Sequence, residues 1–87
     1  MFRVLATKKV LKSARKIPAS AREKFFMLME QLADKGPVAA NWPNYSKLEN
    51  EKYHCHLAYS WVACWRHEKE TIIIEVYYVG SRENAPY

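Results

Sequence analysis

Apolar residues recur at helical spacing near the start of the chain. A short apolar segment, Phe2–Ala6, predicts a first strand. The helix predicted after it has an apolar side formed by Val10, Leu11, Ala14 and Ile17, with lysines and arginines on the other side. Thr7 can cap this helix with its hydroxyl group, and Pro18 ends it because proline has no amide hydrogen to donate.

A second helix follows Pro18. Ser20 and Glu23 have the spacing of a capping box, which predicts that the helix begins there. Its apolar stripe consists of Phe25, Leu28, Met29, Leu32 and Ala33. Gly36 and Pro37 are predicted to end it. The two helices therefore form an αα-hairpin.

The second half of the chain changes to a period of two. Residues 37–50, rich in Pro and Asn, are predicted to be a loop. The next strand, up to Leu57, alternates between Tyr53, Cys55 and Leu57 on one face and Lys52, His54 and His56 on the other. Trp61–Arg66 is predicted to be the following strand, with Val62, Cys64 and Arg66 on one face. Thr71–Val79 is the most strand-like segment, expected in the interior of the sheet and ended by Gly80.

This order of elements, β-α-α-β-β-β, predicts a single α+β domain covering residues 1–87. The N-terminal helical hairpin is expected to pack on one face of a mostly antiparallel four-stranded sheet. The other face is then available to a ligand, and Lys52, His54, His56 and Arg66 are expected on it.

Charge is distributed unevenly along the 87 residues, whose net charge is +5. Residues 1–22 carry no acidic side chain and seven basic ones: Arg3, Lys8, Lys9, Lys12, Arg15, Lys16 and Arg22. Such a cluster is typical of a surface that binds a polyanion, but it is equally typical of a solvated helix face. Charge alone leaves both interpretations open.

Several functional classes find no support in the sequence. No apolar stretch is long enough to span a bilayer, and the N-terminus places its apolar run before its charges, so we expect a cytoplasmic protein without a membrane partner. Cys55 and Cys64 are expected to be reduced core residues. A metal site at His54 and His56 lacks further ligands at suitable spacing, because Cys55 faces away from them. We therefore expect no metal and no cofactor.

The candidate chemistry is metal-free cleavage of RNA. His54 and His56 can transfer protons near neutral pH, and Arg66 and Arg82 can bind phosphate oxygens. The C-terminal Tyr87 can stack on a base or transfer a proton. Two bland alternatives stay open. The histidines can be exposed polar residues without a function on the solvent-facing side of the sheet. Arg66 can form a salt bridge with Glu68 near a turn.

The segment KYHCHLAYSWVACW followed by IIIEVYYVGSRENAPY resembles the RelE/ParE superfamily of type II toxins. The resemblance places His54 and His56 where RelE-like toxins have basic residues that contact the scissile phosphate. It implies that Arg82 stabilises the phosphate and that Tyr87 orients the substrate. The chain departs from the family pattern at Val62, where many members have an arginine.

The resemblance also implies a function. The protein is expected to be a ribosome-dependent, metal-independent mRNA endoribonuclease that inhibits translation and is silenced by a cognate antitoxin in a hetero-oligomer. Its partners would be the ribosome and mRNA, contacted by Lys8, Lys9, Lys12, Arg15, Lys16 and Lys52. Two alternatives remain: a ParE-like, non-enzymatic inhibitor of DNA gyrase, or a catalytically decayed RNA-binding module, as Val62 suggests.

Overall fold

Two helices cover one face of a five-stranded mixed sheet in the computed structural model, which describes residues 1–87. The elements are strand β1 (Arg3–Ala6), helices α1 (Lys8–Lys16) and α2 (Ala19–Lys35), strands β2 (Ser46–Lys47), β3 (Lys52–Ala58), β4 (Trp61–His67) and β5 (Ile73–Ser81), and a 3₁₀ turn at Arg82–Asn84. The sheet order is β1-β5-β4-β3-β2, with β1 parallel to β5 and every other pair antiparallel. The predicted α+β class and the helical layer on one face are confirmed. Neither helix has the length and apolar character needed to cross a membrane.

The fifth strand, β2, lies inside the segment that the sequence predicted to be a loop. Ser46 pairs with His54 and Lys47 with Tyr53, at the edge of the sheet. Tyr45, just before β2, stacks beside Tyr53 at 6.3 Å between ring centroids. A strand of two residues is too short to show any periodicity, so only its pairing with β3 reveals it.

The predicted ends of the helices are partly right. Thr7 caps α1, since its hydroxyl oxygen accepts a hydrogen bond from the amide of Val10 at 3.1 Å. The capping box at Ser20 is wrong, because α2 begins at Ala19 and Pro18 is its N-cap residue. The proline ring already holds a backbone angle suited to a helix start, so the helix begins before Ser20. Gly36 ends α2 with a φ of 96°, a value that favours glycine.

Arg22 joins the two helices. Its guanidinium group donates hydrogen bonds to the carbonyl oxygens of Ala14, Arg15 and Ile17, at 3.1, 3.2 and 3.1 Å. These carbonyls lie at the C-terminal end of α1, where the helix itself offers no amide partners. Arg22 therefore provides the hydrogen-bond donors that the carbonyl groups at the end of α1 lack. Its guanidinium group is not available to bind a polyanion with the other basic residues of the N-terminal segment.

The core lies between the helices and the sheet. Phe25, Leu28 and Leu32 of α2 are fully buried, and so is Trp65 of β4, whose indole Nε1 donates a hydrogen bond to the carbonyl of Pro37 at 2.9 Å. Leu11, predicted to face the core, is 43% exposed. The apolar side of α1 is therefore narrower than its sequence suggests.

Strand β5 occupies an interior position between β1 and β4, as predicted. The prediction that Gly80 ends it is wrong, because Gly80 pairs with Val62 and the strand continues to Ser81. Position 80 requires glycine because there is no room for a side chain. A Cβ atom there would lie 2.7 Å from the hydroxyl oxygen of Tyr78, which donates a hydrogen bond to the carbonyl of Ser81. Glycine thus leaves the space that the Tyr78 ring occupies.

Candidate functional site

The face of the sheet opposite the helices, called the open face below, carries most of the predicted site residues. It includes Lys52, His54 and His56 of β3, Val62, Cys64 and Arg66 of β4, and Glu75, Tyr77 and Tyr78 of β5. Cross-strand pairs join His54 to Cys64, His56 to Val62 and Lys52 to Arg66. The alternation predicted for β3 is confirmed, since Tyr53, Cys55 and Leu57 are buried on the helix side.

A β-bulge in the pairing of β4 with β5 changes which residues reach the open face. Cys64 pairs with Tyr78, whereas Trp65 pairs with Val76, so Tyr77 is the extra residue. Simple alternation after Val76 would send Tyr78 into the core, yet Val79 is buried there instead. The bulge therefore gives the open face two consecutive tyrosines, consistent with the role of bulges in redirecting side chains near functional sites.

His54 and Tyr87 are brought together at the centre of the open face. Their ring centroids are 4.1 Å apart with an interplanar angle of 35°. The Nδ1 atom of His54 is buried and makes no hydrogen bond of good geometry, although the backbone carbonyls of His54 and Asn44 lie near the ring. Burial lowers the pKa of His54 below its usual 6.5, so the imidazole is uncharged at neutral pH. An uncharged imidazole with an unused nitrogen is suited to accept a proton.

His56 lies two residues along the same face of β3. Its ring nitrogens are 3.4 Å from the side-chain amide nitrogen of Asn44, a weak contact. On the neighbouring strand its partner is Val62, which is fully buried and carries no charge. The structure therefore has no cation at the position where the family pattern led us to look for an arginine.

The two arginines of the predicted site lie at opposite ends of the open face. Arg66 forms an ion pair with Glu75 across the strands, with Nε 2.8 Å from Oε1, so the alternative pair with Glu68 is wrong. Arg82 follows β5 at the other end, and its backbone amide donates a hydrogen bond to the carbonyl of Ser60 at 2.6 Å. The side chain of Arg82 is exposed and makes no hydrogen bond. Only Arg82 is therefore unpaired.

Tyr87 is influenced by several of its neighbours. Burial is the main cause that raises the pKa of its hydroxyl group, the Cys64 thiol adds to this, and the positive charge of Arg82 opposes it. The side chain is nevertheless 50% exposed at the end of the chain. Tyr87 therefore covers His54 without being locked in place by packing.

A large cleft adjoins this pair of rings. It has a volume of about 700 Å³ and lies between the β2–β3 turn and the end of the chain. Its lining consists of Lys47, Leu48, Glu49, Asn50, Lys52, Tyr77, Pro86 and Tyr87. Sequence reasoning placed Lys52 and Tyr87 in the site but missed Tyr77, because the bulge that presents it has no sequence signal.

The basic residues of α1 form a separate surface on the helix side of the sheet. Lys8, Lys9, Lys12, Arg15 and Lys16 are all exposed, as predicted. Most of them are remote from His54 because the sheet lies between. Lys16 alone approaches the tail, in a cleft of about 390 Å³ that also includes Tyr78 and Asn84.

No group of three or more His, Cys, Asp and Glu side chains converges in the geometry of a metal site. Cys55 lies on the helix side of β3, and Cys64 lies under the open face. Both are free thiols. Cys55 is therefore on the opposite face of β3 from the histidine pair, as the alternation predicted from the sequence requires.

The fold is that of the RelE toxins. A chain of the archaeal RelE–RelB complex from Pyrococcus horikoshii superimposes with a TM-score of 0.79 at 20% identity, covering 97% of this chain and 98% of that chain. The isolated RelE toxin of E. coli gives 0.74 at 17% identity, with 99% and 89% covered. A chain of the YoeB–YefM complex from Staphylococcus aureus gives 0.67 at 8%, with 92% and 95% covered. No protein-family model and no curated protein matches the sequence.

Proposed function

We propose that this RelE-fold protein is the toxin of a type II toxin–antitoxin module, a ribosome-dependent and metal-independent endoribonuclease that cuts mRNA and so inhibits translation. The observation that carries the proposal is the distance of 4.1 Å between the ring centroids of Tyr87 and His54 on the open face. It combines a surface on which a base can stack with a group that can remove a proton. Removal of the 2′-hydroxyl proton starts the cutting of RNA without a metal ion, and stacking positions the nucleotide for it.

His54 is the proposed general base. It takes the proton of a ribose 2′-hydroxyl group, and the resulting oxygen attacks the adjacent phosphorus atom. The bond to the 5′-oxygen then breaks, leaving a 2′,3′-cyclic phosphate on one fragment and a 5′-hydroxyl group on the other. His56, on the same face of β3, is the proposed donor of the proton with which the 5′-oxygen leaves. General acid–base catalysis of this kind contributes about 10²–10⁴-fold.

Arg82 is the proposed stabiliser of charge on the phosphate. Its guanidinium group is exposed and has no partner within the chain, so binding a phosphate breaks no existing interaction. Arg66 is proposed in the same role, but it reaches the phosphate only after its ion pair with Glu75 opens. Arg82→Ala should therefore reduce the reaction more than Arg66→Ala.

Tyr87 is the proposed stacking partner of a base next to the cut. In the free protein the ring rests on His54, and it must move aside before RNA reaches Nδ1. Its half-exposed position at the end of the chain makes this movement easy. When the Tyr87 ring has moved, a base stacks on it in place of its present contact with the His54 imidazole.

Ribosome binding is proposed for the basic surface of α1, and RNA binding for Lys52 on the open face. The five cations of α1 are exposed on the helix side of the sheet, with only Lys16 near the tail, so they can bind ribosomal RNA while the open face holds mRNA. Contacts of this kind depend on phosphate charge and weaken as salt concentration rises.

An antitoxin is the proposed protein partner, in a hetero-oligomer that silences the toxin. RelE is found with RelB in the P. horikoshii complex to which this chain is similar. The surface supports a protein partner, since several large apolar side chains are about half exposed. These are Leu5, Leu11, Phe26, Met27, Val38 and Ile72. Phe26 and Met27 are adjacent on α2, and exposed apolar groups that adjoin one another can contribute to a protein-binding surface.

A second candidate is an RNA-binding module without catalytic activity. It is favoured by two observations: Val62 lies uncharged beside His56, and Arg66 is neutralised by Glu75. Such a protein would bind ribosomes and leave mRNA intact.

The test is a cell-free translation reaction in which new mRNA 5′ ends are mapped with and without ribosomes. We expect cuts only on translated mRNA, carrying 5′-hydroxyl groups, and none with Arg82→Ala. Lys69→Ala, which removes an exposed cation from a turn, is the matched control and should cut like the parent. Intact mRNA with ribosome binding retained would favour the second candidate. Unaffected translation without ribosome binding would contradict both, and a supercoiling assay would then test gyrase inhibition.

A further inference from the structure

The cleft of about 700 Å³ beside Tyr87 contains features that the proposed cleavage step does not use. Tyr77 contributes an aromatic ring to it from β5, while Glu49 and Asn50 contribute polar groups from the β2–β3 turn. Its volume falls within the range of about 300–1,000 Å³ that is typical of small-molecule sites. The cleft is continuous with the site at His54, because Tyr87 borders both.

We propose that this cleft is a base-binding subsite for one nucleotide of single-stranded RNA next to the scissile phosphate, with Tyr77 as its stacking surface and Glu49 and Asn50 as readers of the base edge. The inference rests on the proposed function and adds to it a determinant of sequence preference. Three features of the cleft support it: a partly buried ring, a free cation and the polar groups of the turn.

Tyr77 is partly buried, and burial, with the Cys64 thiol nearby, raises the pKa of its hydroxyl group to about 12. The bulge presents the side chain to the open face rather than to the core. A ring that is already partly buried loses less conformational freedom when a base stacks on it.

The cations near the cleft suit a nucleotide. The ammonium nitrogen of Lys52 lies 5.7 Å from the centre of the Tyr77 ring and takes part in neither ion pair of the molecule. It is exposed and can therefore move from the ring to a phosphate group. Lys47 is 3.6 Å from the carboxylate of Glu51, which reduces its effective charge. Lys52 is thus the cation best able to bind the phosphate.

The polar groups of the turn predict a preference among bases. The carboxylate of Glu49 can only accept hydrogen bonds, so it favours bases with an exocyclic amino group. Adenine, cytosine and guanine have this group, whereas uracil offers only its ring N3–H, which lies between two carbonyl oxygens that repel a carboxylate. Asn50, held in the turn at a φ of 60°, offers both a donor and an acceptor. The subsite should therefore discriminate against uracil at one position beside the cut.

The experiment uses the full-length protein and translated reporter mRNAs in which the nucleotides around each cut are varied. Two quantities are measured, the rate of cutting and the frequency of each base next to the cut. We expect Tyr77→Leu to lower the rate roughly tenfold, in keeping with the loss of one stacked base. Glu49→Gln should reduce the discrimination against uracil, because an amide both donates and accepts hydrogen bonds where the carboxylate only accepts them.

Tyr59→Leu is the matched control. This tyrosine is 93% exposed in the β3–β4 turn, outside the cleft, so its loss should change neither quantity. Thermal unfolding shows whether Tyr77→Leu is folded, and if it is not, Glu49→Gln on the exposed turn decides the outcome.

The subsite fails separately from the proposed function. If the parent cuts mRNA and loses activity with Arg82→Ala, while Tyr77→Leu and Glu49→Gln keep the parent's rate and base profile, the subsite is wrong and the ribonuclease assignment stands. If the parent makes no cuts, the assignment falls and the subsite falls with it.

Discussion

At the residue scale, aromatic rings on the open face bury neighbouring titratable groups and so change their pKa values. Cys64 is fully buried although it points away from the core, and Tyr77 and Tyr87 lie around it. Burial raises the pKa of the Cys64 thiol to about 12 and lowers the pKa of His54. In both cases the uncharged form is favoured, so the same covering gives an inert thiol and an imidazole that can act as a base.

The pH dependence of stability should reveal the environment of His54. Because its pKa is lowered in the folded protein, the unfolded chain binds the proton first, near pH 6.5. The free energy of unfolding is then highest above pH 6.5, falls as the pH drops from 6.5 towards the folded-state pKa, and levels off below that pKa. Replacing His54 by Gln should reduce this fall, as measured by urea unfolding between about pH 8 and pH 5. Parallel curves for parent and variant would contradict the lowered pKa.

Thiol labelling should separate the two cysteines. Both have pKa values raised to about 12 and both are buried, so the native protein should react slowly with a thiol reagent. Tyr87→Ala should speed the labelling of Cys64, which the tail helps to cover, and leave Cys55 protected under the helices. Adding Cys64→Ser to Tyr87→Ala should return labelling to the slow rate. Labelling that persists in the double variant would mean that the tail change exposes the core.

At the element scale, the position of the site depends on how α1 and β5 are held. Strand β5 carries the bulge that presents Tyr77 and Tyr78, and Gly80 makes room for the Tyr78 hydroxyl group. The same strand leads directly into Arg82 and the tail. A shift of one residue in its pairing with β4 would therefore move Arg82 and Tyr87 together, since strand faces alternate.

Arg22→Ala should destabilise the fold by about 1–3 kcal/mol, because three carbonyl groups at the end of α1 lose a charged donor. Lys24→Ala removes an exposed cation two residues away that makes no hydrogen bond, and it should change stability by less than about 0.5 kcal/mol. Urea unfolding measures both values. Equal effects of the two substitutions would show that the hydrogen bonds of Arg22 between the helices contribute nothing to the free energy of unfolding.

At the scale of the whole molecule, the sheet separates two surfaces with different proposed partners. The open face carries His54 and the cleft, and the helix side carries the cations of α1. This separation predicts that ribosome binding and RNA cutting can be weakened independently. It also explains why the excess of positive charge does not coincide with the imidazoles.

A triple change of Lys8, Lys12 and Arg15 to Gln should weaken ribosome binding and make it less dependent on salt. The slope of log K against log salt should decrease by about 0.7–0.9 for each phosphate that is no longer bound. Lys24, Lys35 and Lys69 changed to Gln remove the same charge elsewhere and should have little effect. Ribosome co-sedimentation at several salt concentrations makes the comparison. Similar weakening in both triple variants would indicate that only net charge matters.

Local sequence signals predicted much of this architecture. The order of strands and helices, the ends of α1 at Thr7 and before Pro18, and the shared face of His54 and His56 all follow from periodicity and capping over short distances. Errors occurred where two local signals competed. At the start of α2, Pro18 prevailed over the capping box at Ser20, and at Gly80 pairing with Val62 prevailed over the tendency of glycine to end a strand.

The sequence by itself determined the fold class, the side of the sheet that the helices cover and the chemical groups available on the other side, because each depends on patterns within single elements. Only the tertiary structure decided that Tyr87 lies on His54, that Arg66 pairs with Glu75, and that a bulge presents Tyr77. These features depend on strand register and on the path of the tail. Both are set by contacts between residues far apart in the chain, which no local pattern records.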